Sequence, residues 1–293
     1  MRAPKYAIRN TQYVFRIPYS VFRIAFLFLL STFYFLLTSC LPITRPVVKI
    51  GLVAPFEGRY RNLGYEVIYA VRLAVREANA AGGVAGYSVE LSALDDSGDP
   101  EMAAEQARKL ATDPQVVAVL GHWLDRTTAA AASEYEQLKL PLLVPVASAE
   151  LPDSVYRLWA SPCMLVADSG CFNTWEELSL AGNVPLTLTS PIPLPSDSTD
   201  PAFAERYLTL SNGVEPRFAA VLAYDAAHLL LDAIARDIAT NGAPSRNGVQ
   251  AQLAQTNYAG LSGLFSFDAD REWRRVGREW MKYVWREGEL LKP

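Results

Sequence analysis

The chain has 293 residues, 51% hydrophobic, 20% charged and 11% aromatic, a composition that excludes disordered and low-complexity classes. Its net charge of −4 is uneven: residues 1–39 hold five basic side chains and no acid, so 22 basic side chains face 31 acidic ones over the remainder. An acidic body excludes a surface that coats nucleic acid. Two histidines (His122, His228) and three cysteines (Cys40, Cys163, Cys171) provide no metal-site spacing, so no metal or cofactor is expected.

Residues 1–39 follow the order of a secretory signal: a basic stretch, an apolar run over 24–37, then small residues. The run ends in Leu37-Thr38-Ser39-Cys40, which resembles the bacterial lipobox. That resemblance implies cleavage before Cys40 and a diacylglycerol on its sulfur. The alternative is a plain transmembrane anchor, because residues 24–44 are uncharged over about the ~20 positions a spanning helix needs. Pro42 and the Thr38-Ser39 pair work against it. Both readings place the body outside the cytoplasmic membrane, where Cys163 and Cys171, eight apart, are expected to form a small-loop disulfide. Two separate buried thiols are the alternative.

The body alternates between two periods. Residues 47–52 form a β-branched run; from Gly64, Val67, Val71, Ala74 and Ala78 recur at helical spacing until Gly82-Gly83. Residues 88–94 alternate as a second strand, and Asp99-Pro100-Glu101 supplies an N-cap acceptor followed by proline at the first helical position. Residues 116–120 are a short unbroken apolar run suited to a sheet covered on both faces. An alanine-rich helix over 127–138 and a strand over 142–146 follow. Strand-helix alternation with long connections implies an α/β fold with a parallel, doubly wound sheet. Ligands of such sheets sit beyond the strands' carboxyl ends, here the loops 54–64, 95–99, 121–127 and 147–150. Beyond residue 157, strands are expected at 163–167, 184–189, 264–267 and 281–285. Helices are expected at 202–210, 216–239 (with Pro216 in the first turn) and 247–255. The four-proline stretch 190–201 reads as a connector.

Lys49-Ile50-Gly51-Leu52-Val53-Ala54-Pro55, Gly58, Gly64, Asn79-Ala80-Ala81-Gly82-Gly83, Gly86, Asp95-Asp96, Gly98-Asp99-Pro100, Gly121, Leu140-Pro141-Leu142-Leu143-Val144-Pro145 and Ala147-Ser148 together resemble the type I periplasmic solute-binding proteins, the leucine/isoleucine/valine-binding kind that feeds ABC transporters. Tyr224-Asp225-Ala226 and Phe267-Asp268-Ala269-Asp270 are similar to the family's C-terminal part. The resemblance implies two lobes joined by three crossings and closing on a small solute. The chain departs from it after Tyr156-Arg157, where much of lobe two is missing. The implied division is a signal peptide (1–39), the first part of lobe one (40–157), a second-lobe remnant (158–195), the returning part of lobe one (196–270) and a closing segment of lobe two (271–293).

Carried over residue by residue, the resemblance implies that a ligand meets Asp125 and Thr127 beside Arg126, then Ala147 and Ser148, with Tyr60 as an aromatic wall. Asp125 stands where the family has a hydroxyl; capping the helix from Thr127 is its structural alternative. Trp123 is either a pocket wall or core, and His122 is structural or solvent-exposed. The motifs of serine hydrolases, phosphate loops, dinucleotide sites and zinc proteases are absent, and Asp95-Asp96 is assigned to a structural turn, so no enzyme is expected. The reading is an extracytoplasmic solute-binding lipoprotein of an ABC uptake system, held to the cell membrane by a lipidated Cys40. Its partners would be a small solute such as an amino acid and an ABC permease, without nucleic acid. The alternative is a non-transport sensor, or a binding-protein remnant acting as an interaction module. With half of lobe two missing, the strand-end pocket is expected to stay open to water and bind weakly.

Overall fold

A computed structural model describes residues 19–38 and 45–293, apart from 168–169, 181, 183 and 275–279. It divides into two compact units at Thr44. The first contains helix α1 (Tyr19–Thr38), a mostly apolar helix with Arg23 as its one charged residue. Cys40, the expected lipidation site, lies outside the described residues.

The second unit opens with β1 (Val47–Ala54), a one-turn 3-10 segment (Gly58–Tyr60) and α2 (Arg61–Ala80). β2 (Ser88–Asp95), α3 (Pro100–Ala111), β3 (Val116–Leu120), α4 (Asp125–Gln137), β4 (Leu142–Val144) and β5 (Val155–Arg157) complete a five-stranded parallel sheet in the order β2-β1-β3-β4-β5. Alternate residues of a strand point to opposite faces. Along β1, Val48, Ile50 and Leu52 therefore join one apolar cluster with Val67 and Val71 of α2, while Val53 joins a second with Ala107 and Leu110 of α3 and Tyr135 of α4. Both faces are covered, as the unbroken apolar run of β3 requires. Asp99 caps α3 as expected, its carboxylate accepting from Glu101 N and Met102 N at 2.9 Å each.

The chain then makes a second sheet. β6 (Leu165–Ala167), β7 (Gly170–Phe172), α5 (Trp175–Ser179) and β8 (Leu186–Ser190) come from one passage. α6 (Phe203–Leu208), α7 (Phe218–Asn241), α8 (Arg246–Leu253) and the β9 (Tyr258–Gly260)–β10 (Gly263–Phe265) hairpin follow. β11 (Met281–Arg286) and β12 (Glu289–Leu291) close the second sheet in the order β12-β11-β8-β6-β7, antiparallel throughout. The sulfurs of Cys163 and Cys171 are bonded across the start of the β6–β7 hairpin, with Cα atoms 5.7 Å apart. Leu188, Tyr283 and Trp285 form this sheet's buried face, each stabilising it by roughly 1.5–3 kcal/mol through removal from water. The indole N–H of Trp285 donates to Gly182 O, and Tyr283 Oη accepts from Leu194 N.

α7 is apolar enough to span a membrane, yet it is packed inside the core, against α2 and α8. It begins at Phe218 with Arg217 as N-cap, so Pro216 lies before the cap rather than in the first turn. The cap comes from a distance: the Glu66 carboxylate of α2 accepts from Arg217 N (2.9 Å) and Ala220 N (2.8 Å). α2 likewise starts three residues before the expected Gly64, since the 3-10 turn feeds straight into it.

Farther along, Glu77 of α2 accepts from Arg206 Nε at Oε1 (2.8 Å) and from Tyr224 Oη at Oε2 (2.5 Å), and His228 Nε2 lies 4.0 Å from the same Oε2. Burial holds the His228 imidazole below its ordinary pKa, with Glu77 pulling upward and Arg206 downward; the rings of Tyr224 and Tyr258 flank it. The unfolded chain then binds more protons, so the stability is complete above the ordinary imidazole pKa and is lost as pH falls through it toward the lower folded value. Thermal melts should hold level above about pH 7 and decline below about pH 6.5. His228→Phe, which keeps a ring between the two tyrosines, should flatten that decline; an unchanged slope would assign it to other groups.

Candidate functional site

The strand ends of the parallel sheet are held together by Asp95 and Asp96. Asp95 Oδ1 accepts from Phe56 N (2.7 Å), Glu57 N (3.3 Å) and Ser97 N (2.8 Å), and Oδ2 from Ser97 Oγ (2.7 Å). Burial pushes its pKa up, but these donors outweigh that and hold it below the usual carboxylate range. The expected role as a structural turn thus fits the hydrogen bonds that Asp95 makes.

Asp96 is fully buried and accepts from Gly98 N (2.9 Å) and from His122 Nδ1 (2.6 Å). With the proton on Nδ1, His122 Nε2 is the acceptor for the Tyr135 hydroxyl at 3.3 Å. Burial, and then the Asp96 charge, pushes the Tyr135 phenol well above its ordinary pKa. His122 is therefore not solvent-exposed: its partner stands 26 residues earlier, out of sight of local pattern. Trp123 is core, without exposed surface.

The structure brings Asp125 and Ser148 together through hydrogen bonds of their own. Asp125 Oδ1 accepts from Ser148 N (2.7 Å) and Oδ2 from Ser148 Oγ (2.6 Å), joining the loops after β3 and β4. Asp125 is also not the cap of α4. Leu124 occupies that position without a side-chain bond, and Asp125 is the first helical residue, where an anion favours the helix dipole. Thr127 is buried, its hydroxyl donating to Leu124 O (2.9 Å). Ala147 is buried too, its N–H donating to Trp159 O and its carbonyl accepting from Arg157 Nη1 (3.1 Å). Arg157 also donates to Ala149 O and pairs with Glu272, so one guanidinium fixes the loop after β4.

Tyr60 packs beside cations: the Arg59 and Arg126 guanidinium carbons each lie 5.4 Å from its ring centroid. Arg126 Nε donates to Gly98 O, and a Cβ at Gly98 (φ +68°) would lie 3.0 Å from Leu124 and 3.3 Å from both Tyr60 and Arg126. Glycine is required there for conformation and for space. Among the described residues, no group of three His, Cys, Asp or Glu side chains is placed to hold a metal.

A partly open cavity of about 310 Å³ lies elsewhere, between the start of α2, the start of α7 and the β6–β7 hairpin of the second sheet. Leu63, Met164, Leu165 and Phe218 give it an apolar wall; Asn62, Asn173 and Arg217 contribute polar groups. Sequence reasoning missed it because its three walls come from stretches about 100 and 50 residues apart. The start of α2 directly after the Tyr60 loop was the one local pointer.

Residues 47–168 match the sequence profile of the family described as Periplasmic binding protein. The Leu/Ile/Val-binding protein of Escherichia coli is 29% identical over 124 residues, 42% of this chain and 34% of that protein. The chain thus matches about a third of the length of this curated relative. Among solved structures, the branched-chain amino acid transporter substrate-binding protein of Streptococcus pneumoniae, in complex with isoleucine, aligns with a TM-score of 0.65 at 18% identity over 85% of this chain and 100% of that one. A solute-binding protein of an ABC transporter from R. palustris, in complex with benzoate, aligns with a TM-score of 0.65 at 15% identity, over 84% and 95%. The class is thereby defined: an α/β fold of the type I periplasmic binding proteins. Residues 47–168 match that family's profile, and the likeness to the solved structures extends over 84–85% of this chain.

The Asp125–Ser148 pair is half-exposed, so its net value is about 1 kcal/mol. A double-mutant cycle with Asp125→Asn and Ser148→Ala in urea unfolding should return a coupling of that size. Strict additivity would show the two loops to be fastened by other contacts.

Proposed function

We propose that the protein is an extracytoplasmic solute-binding lipoprotein of an ABC uptake system, taking an amino acid or a related small polar molecule. The observation that carries this reading is a cavity of about 310 Å³ between helices α2 and α7 and the β6–β7 hairpin, in a chain with a binding-protein signature. That volume is at the small end of ligand pockets and suits a solute of amino-acid size. The names of the relatives support binding rather than catalysis, and ABC permeases as partners. Anchoring rests on the Leu37-Thr38-Ser39-Cys40 sequence after an apolar helix. Function here is binding coupled to movement of one sheet toward the other.

The residues expected at the strand ends divide in this reading. Thr127 and Ala147 support the loops from beneath, Asp125 and Ser148 fasten them, and Tyr60 stiffens the loop that leads into α2. A solute that reached Asp125 would have to displace both Ser148 bonds. The small second sheet favours a second reading, a sensor or interaction module that has lost transport.

Ligand-dependent stabilisation separates the two. A binder gains RT ln(1 + [L]/Kd), about 2.7 kcal/mol at one hundred times Kd, and a remnant gains nothing. With a partly open pocket the expected Kd is high micromolar to millimolar, about −4 to −6 kcal/mol. Thermal melts against amino acids, amides and polyamines should show a shift for at least one class; no shift across the set leaves only the interaction module. For the anchor, Cys40→Ser should abolish incorporation of labelled fatty acid, and equal labelling of parent and variant would remove the lipoprotein reading.

A further inference from the structure

We propose that the outward stripe of α2 docks on anionic lipid headgroups, so that the anchored body lies with this helix along the bilayer. The proposal rests on the membrane-anchored reading above and adds to it a contact surface and a lipid chemistry.

At 100° per residue, Arg61, Tyr65, Arg72 and Arg76 fall within about 60° of one another and run about 22 Å along the helix. All four residues are exposed, and among the described residues no acid pairs with any of the three arginines. The carboxylates of the same helix are engaged elsewhere, Glu66 by the first N–H groups of α7 and Glu77 by Arg206 and Tyr224. Glu90 of β2 alternates with Val89 and Leu91, which pack toward α2, and so faces the other side of the sheet, beside Lys49. The flanks are mixed: Glu57, Glu205 and Glu215 are exposed there, as are Arg45 and Arg59, with Arg217 half-buried. The stripe itself carries three positive charges and no negative one, on a body where acids outnumber bases.

The place of the stripe selects a bilayer over an acidic protein. α2 runs back along β1, so its last turn lies where β1 begins. There the Asn79 side chain bonds both the N–H and the carbonyl of Val89 at 2.8 Å, and Ser88 N donates to Pro46 O. Arg76 thus stands within one turn of the edge where the chain arrives from Cys40. Seven residues, 40–46, separate the expected lipid from β1, a reach of at most about 25 Å. Of the two partners, only a bilayer is fixed relative to that edge. Tyr65, braced edge to face by Phe56 at 6.5 Å, adds an amphipathic ring of the kind that sits at headgroup level. Basic residues interleaved with an aromatic are the composition of a helix that lies on an anionic surface.

The test uses the full chain reconstituted in vesicles of phosphatidylcholine, alone or with one third phosphatidylglycerol, and follows phenylglyoxal modification of each arginine by peptide mass spectrometry. Each cation near an anionic surface strengthens attachment about fivefold, so Arg61, Arg72 and Arg76 should react at least about fivefold more slowly with phosphatidylglycerol present. Arg286 of β11, exposed on the second sheet, should change less than about twofold, and molar salt should abolish the difference. In a variant carrying Arg72→Gln and Arg76→Gln, Arg61 should lose its protection. The parent measurements stand alone if that variant does not fold. Equal rates in the two lipids overturn the proposal, as does equal slowing of Arg286 or protection of Arg61 that survives in the variant. Slowing that is already complete in phosphatidylcholine also overturns it, because a second protein copy then covers the stripe. Flotation with the vesicles reads the anchor separately. A chain that floats but shows equal rates loses only the docking surface, whereas one that does not float removes the anchored reading and this proposal with it.

Discussion

A carboxylate taken out of water must be given donors, and in this protein that requirement organises the whole rim of the parallel sheet. Asp95 and Asp96 are consecutive residues at the end of β2, so their side chains leave the strand on opposite sides. Asp95 holds the loop after β1 through two hydrogen bonds and Asp96 the loop after β3 through one, while their three remaining bonds, to Ser97 and Gly98, fasten the loop after β2 itself. Three of the strand-end loops are thereby tied to two adjacent residues. Asp125 extends the same device to the loop after β4, and Arg157 secures that loop from beneath with a cation in place of an anion.

Most of the first sheet was legible because its determinants are local. An unbroken Val116–Leu120 run can only be a strand covered twice, and Asp99-Pro100 states where a helix begins. β5, β7 and β12 were not legible. Each is three residues long, and it is a strand only because a partner lies alongside, as Val155 does with Leu142 or Cys171 with Val166. Three residues give no measurable period. The same limit governs the site. The sequence identified Asp125 and Ser148 separately but not that they satisfy each other, and it left His122 open because Asp96 and Tyr135 are remote. The cavity has no local signature at all, since apolar residues such as Leu63 and Phe218 read as ordinary core.

The second sheet shows how a small layer is made stable. Its five strands come from two passages of chain, so β8–β11 pairing must close a loop of about ninety residues. Such closure carries an entropic cost that grows only slowly with length. The Cys163–Cys171 bond fixes the β6–β7 end independently, and the Trp285 and Tyr283 side chains spend their polar ends on Gly182 and Leu194 while their rings fill the inner face. Tyr283 also meets Phe218 edge to face at 5.4 Å, which places a second-sheet aromatic against the first turn of α7.

The bond between Glu66 and the start of α7 has a mechanical consequence. A single side chain of α2 closes the end of another helix, so neither helix can slide along the other without exposing charged oxygens and unpaired amides at once. Two walls of the cavity thus behave as one body. Whatever enlarges or shrinks that space must act on the third wall, the hairpin stapled by its disulfide.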